Sequence, residues 1–175
     1  MNRDIVQVNR APVLTLWAAV VAERLGFDRD EALSLGKALA GLNAQSKGRR
    51  LGIFKPVEKP ETARKTSPGE ELRVLLLGRP VPAKNTAAGV RAINRDKAIE
   101  PEAVERYLEG KFGDRLGAVE KAMTVLAGAF SPDELTVHGF ALYERFRPAV
   151  PESVSGWGAR GELDLAVIRS LAAKA

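Results

Sequence analysis

Lys47, Arg49, Arg50, Lys55, Lys59, Arg64 and Lys65 follow one another closely along the chain, opposed only by Glu58 and Glu61. At that density lysine and arginine can pair with successive phosphates of a nucleic-acid backbone without reading its bases. The excess is regional. Residues 37–97 hold 14 Lys and Arg against 5 Asp and Glu, a net +9, whereas the whole chain is +5 and the remainder is therefore −4. Lys37 and Arg29 are possible additions to the set. Phe54 is the only aromatic in the run, and single-strand binding by base stacking normally uses several rings. Contact with the backbone of DNA or RNA is thus the leading expectation, and the competing one is a solvated loop.

A second candidate is Gly156-Trp157-Gly158-Ala159-Arg160-Gly161. The glycines free the backbone, so Trp157 could anchor a protein partner and Arg160 hold an anion; alternatively Trp157 folds onto the body. Nothing in the chain requires a metal or cofactor, and no catalytic residues are assigned. His138 is the only histidine and cannot supply the several nitrogens zinc usually takes. Gly110-Lys111-Phe112-Gly113 and Leu77-Gly78-Arg79-Pro80 lack the spacing and the Lys-Ser/Thr ending of a phosphate loop. With no nucleophile or convergent polar set either, the sequence argues against an enzyme.

The elements that would carry these residues read as mostly helical. Pro12 suits a first helical position, and Val13, Leu16, Trp17, Val20, Val21 and Leu25 mark an apolar face over residues 12–25 that Gly26 ends. Asp28 and Glu31 form a capping pair for a second helix over 29–47. Its apolar stripe is Ala32, Leu35, Leu39 and Leu42. Ser34, Ala38 and Gly41 form an adjacent small-residue face where another backbone could approach closely. The pair superficially resembles a helix-turn-helix, but Asp28, Asp30 and Glu31 would repel phosphate at the end meant to enter the groove. A helical hairpin of the core is the better reading.

Residues 55–69 contain Pro56, Pro60 and Pro68 among many charges and read as a linker or loop. They separate an N-terminal hairpin, 1–54, from a helical body, 70–175, although the whole could pack as one compact domain. Leu72–Leu77 fits a buried strand or a short helix from Pro68; with no obvious partner strand we read it as helix. Asn85 and Thr86 then cap a short helix to Asn94. Further helices are expected over 101–111, from Asp114, from the Ser131-Pro132-Asp133-Glu134 start signal to Phe146 or Arg147, and over 163–173. The expected fold is mainly α, with at most one short strand pair.

The absence of cysteine excludes disulfides, thiolate metal sites and cysteine nucleophiles. No N-terminal apolar leader is present, and the apolar stretch 13–25 is too short to span a bilayer. These features point to a soluble, cytoplasmic protein that binds nucleic acid. The alternative is an assembly module, with a protein partner or as a homodimer, using the small-residue face and the Trp157 loop.

Overall fold

The computed structural model describes residues 5–48, 71–87, 89–94, 97–148 and 160–174. At its centre is α1 (Arg10–Leu25), whose residues Pro12 to Ala22 are all buried. A helix apolar on every side has to be enclosed, and this one is packed by α2 (Arg29–Gly48), α3 (Pro101–Phe112), α4 (Leu116–Gly128) and α5 (Pro132–Phe146). A 3-10 turn at Gly113–Arg115 joins α3 to α4, and α6 (Leu165–Lys174) packs on α4. Gly26, in the left-handed region at φ 116°, ends α1; the Phe27 N–H reaches back to the Ala22 carbonyl at 3.1 Å, the Schellman stop.

Both capping boxes are closed. The Glu31 N–H donates to Asp28 at 2.8 Å and the Asp28 N–H to Glu31 at 3.0 Å. Glu134 and Ser131 exchange the same pair of bonds at the start of α5. Trp17 is fully buried; its indole N–H donates to the Gly139 carbonyl at 3.0 Å, and its ring meets Phe146 edge-on at 5.3 Å. Tyr143, also buried, donates to the Arg10 carbonyl at 3.3 Å, and burial pushes its phenol up to about 12. The end of α5 is therefore a join between helices, as a mixture of rings and charges there suggests.

The expectation of at most one short strand pair fails, because the described residues form two sheets. β1 (Ile5–Asn9) pairs antiparallel with β6 (Arg160–Asp164), Val6 opposite Leu163. The other sheet is an antiparallel meander of β2 (Glu71–Leu76), β3 (Arg79–Thr86), β4 (Gly89–Asn94) and β5 (Lys97–Ala98). Leu72–Leu76 is thus strand, not helix, and Asn85–Asn94 belongs to β3 and β4 instead of a helix. The partner missing from the sequence reading is β3, disguised by Pro80 and Pro82. Both prolines lie beyond the last β4 pairing, Ala83 opposite Ala92, so neither removes a hydrogen bond from the β3–β4 ladder. Leu77 and Gly78, at φ 52° and 79°, make the two-residue turn between β2 and β3.

The inner face of the meander, with Val74, Leu76, Val81, Ala83 and Ala92 buried, joins the same apolar core as the helices. The edge of β4 is closed by a helix. The Val90 N–H donates to Glu31 at 2.9 Å and the Ala92 N–H to the Ser34 hydroxyl at 3.1 Å, so residues three apart on α2 serve alternate groups of the strand. An uncovered edge would leave these groups to water or to another chain. Ser34→Ala leaves the buried Ala92 N–H without its acceptor and should cost about 1–3 kcal/mol. Urea denaturation measures this, and a wild-type midpoint would show that the edge bond contributes nothing.

Candidate nucleic-acid interface

The chain reaches the basic run through α2. Buried Leu39 and Ala40 are followed by exposed Gly41, and the helix continues to Gly48, carrying Lys47 at its C-terminal end. At about 1.5 Å per residue, α2 separates its two ends by about 27 Å. Carbonyl groups at the C-terminal end favour cations there. Arg49, Arg50, Lys55, Lys59, Arg64, Lys65 and Trp157 lie outside the described residues, as do the side chains of Lys47, Leu42 and Arg160; the backbone of Arg160 opens β6.

The opposite end of α2 is engaged internally. Arg29 lies 2.6 Å from Glu120, 3.5 Å from Glu23 and 3.7 Å from Glu105, joining α2 to α4, α1 and α3. Burial works against its charge, but the hydrogen bond and charge of Glu120, with Glu105 and Glu23, outweigh it and raise the guanidinium pKa. Arg29 is thus paired with three carboxylates. Glu31 is held by β4, and Asp30 approaches Arg91 at 4.0 Å. The first turn of α2 is a structural junction, which agrees with the core hairpin and not with a groove-reading helix.

Glu23 is the least comfortable member of the network. Burial raises its carboxyl pKa, and the nearby Glu120 and Asp28 add to the effect against the pull of Arg29. Since a raised folded-state value favours the protonated form, its contribution is present at low pH and lost as pH rises through that value. Glu23→Gln should therefore be more stable than the wild type at pH 7, with the difference closing on acidification toward pH 4. Urea midpoints at the two pH values test the sign; equal destabilisation at both contradicts it.

Lys37 has a different setting. Its ammonium stands 4.4 Å from the centre of the Tyr107 ring, and that of Lys111 stands 6.0 Å from the same centre. Burial lowers the Lys37 pKa, and the positive charge of Lys111 lowers it further. Neither lysine forms an ion pair among the described residues. Burial raises the Tyr107 pKa. The sequence pointed to Lys37 but passed over Tyr107 and Lys111, whose spacing of four on α3 is the only local sign that they meet.

The small-residue face of α2 is differently used than its composition suggested. Ser34 is buried and bonded to Ala92, and a Cβ on Gly41 would meet nothing within 4 Å. Close approach occurs instead at Gly36, where a Cβ would lie 2.6 Å from the Thr15 carbonyl oxygen and 3.0 Å from the Ala19 nitrogen. His138 is exposed on α5. Among the described residues no group of three or more His, Asp or Glu side chains could hold a metal, and no helix is long and apolar enough to cross a membrane. Comparison of the chain with protein-family models, curated proteins and solved structures finds no match.

Proposed function

We propose that the protein binds the phosphate backbone of DNA or RNA through the basic segment that follows α2, with Lys47, Arg49, Arg50, Lys55, Lys59, Arg64 and Lys65 as the contacts. The observation that carries this reading is the polarity of α2. Its acidic first turn is tied into the core by Arg29, β4 and the capping box, while the +9 region of the chain gathers cations at and beyond its other end. The acidic residues that would repel phosphate are thereby held about 27 Å from the start of the basic run. Lysine and arginine on such a segment supply charge without a fixed base-reading geometry, so affinity should be high at low salt and tolerant of sequence. With Phe54 as the only ring, the segment has little to stack on unpaired bases.

Arg49→Glu together with Arg50→Glu should weaken binding to a labelled duplex by about tenfold or more near 0.1 M salt, with the circular dichroism spectrum unchanged. Unchanged affinity in the folded variant would remove these residues from the interface and overturn the assignment.

A further inference from the structure

We infer that Lys37 and Lys111, whose ammoniums both stand near the Tyr107 ring, form a phosphate-binding site on the folded body of the protein. Its assignment to nucleic acid in particular rests on the function proposed above.

Where a cation serves as a join, as Arg29 does, three carboxylates surround it. Around Lys37 the fold does the reverse. It half-buries an ammonium, brings a second ammonium to the same ring, and places no carboxylate in an ion pair with either among the described residues. Burial and the charge of Lys111 both work against the Lys37 ammonium. Two ammoniums near one ring, with no ion-paired carboxylate among the described residues, can receive an anion between them, and phosphate chemistry supplies one.

The helices that carry the three side chains are packed on one another: Lys37 lies on α2, and Tyr107 and Lys111 lie on α3. Lys37 sits about 15 Å along α2 from Lys47, where the basic run begins. Lysine acts here as a point charge and would hold a phosphate without selecting a base.

The test uses the full chain and a variant carrying Lys37→Met and Lys111→Met, in which the aliphatic stems over Tyr107 remain. Tripolyphosphate is the small-anion probe, compared with sodium chloride at equal ionic strength. It should raise the melting temperature of the wild type and do so much less, or not at all, in the variant. Equal protection of both proteins overturns the site. Where protection is lost and the log–log salt slope on duplex DNA also falls by about 1, the occupant is a backbone phosphate. Where protection is lost and the slope is unchanged, the site stands and its occupant is a free phosphate compound. The Arg49/Arg50 reversal is read separately: if it leaves DNA affinity unchanged the proposed function falls, and the tripolyphosphate arm still decides this site. Should the double variant not fold, Lys111→Met alone, at an exposed position, carries the same comparison.

Discussion

Gly36→Ala should destabilise the protein by about 2 kcal/mol or more, whereas Gly41→Ala in the same helix should stabilise it by up to about 1 kcal/mol. Replacing a helical glycine by alanine ordinarily gains close to the latter figure, because the unfolded chain has less freedom to lose. At Gly41 nothing lies within 4 Å of the new methyl group, so the ordinary gain stands. At Gly36 the methyl would lie 2.6 Å from the Thr15 oxygen and 3.0 Å from the Ala19 nitrogen. Those atoms are backbone of α1, which is buried along eleven consecutive residues and cannot retreat without disturbing every element around it. At 2.6 Å from fixed backbone the overpacking cost lies at the top of the usual range, about 3 kcal/mol or more, which leaves about 2 kcal/mol or more after the helical gain. Gly139→Ala should be milder, since the methyl would meet the end of the Leu77 side chain, which can turn. Urea midpoints of the three variants order them; a Gly36→Ala protein as stable as Gly41→Ala would refute the close packing of α1 on α2.

Trp17→Ala is expected to cost about 3–5 kcal/mol, a large share of the 5–15 kcal/mol typical of a whole domain. Trp17 is among the largest fully buried side chains, and it touches both the Gly139 carbonyl and the Phe146 ring. Its loss opens a cavity where α1 meets α5, and the surroundings of that cavity are helices already fixed by other contacts. Trp17→Phe keeps part of the volume and the edge-on ring contact but gives up the indole hydrogen bond. Its cost should be nearer 1–2 kcal/mol. Thermal or urea denaturation distinguishes the two, and equal stability of Trp17→Ala and wild type would contradict the core described here.

The helices were legible because their signals are local. Pro12, Gly26, the Asp28–Glu31 pair and the Ser131–Glu134 pair each mark an end within a few residues, and the structure places helix ends within about two residues of them. The sheets depend on meetings at a distance. Val6 and Leu163 pair across almost the whole chain, and no property of either segment names the other. β2 is a continuous apolar run that looks like helix or strand until its partner is known, and that partner carries two prolines. The prolines are tolerated on that side because they stand beyond the last β3–β4 pair. For the site, the charge excess could be read directly from residues 37–97. The pairing of Arg29 could not, because Glu105 and Glu120 come from distant helices. Nor could the approach of Lys37 to Tyr107, which only the packing of α2 on α3 creates.

The most direct test of nucleic-acid binding is fluorescence anisotropy of the full chain with a labelled duplex across a salt series. Single-stranded DNA and RNA of matched length serve as parallel probes. Each neutralised phosphate on a duplex contributes roughly −0.9 to the slope of log affinity against log salt. With several of the seven basic residues engaged, the account predicts micromolar or tighter binding at 50 mM salt and a slope of about −3 to −6. Absence of binding to all three probes at that salt, or binding with a flat salt dependence, would contradict it.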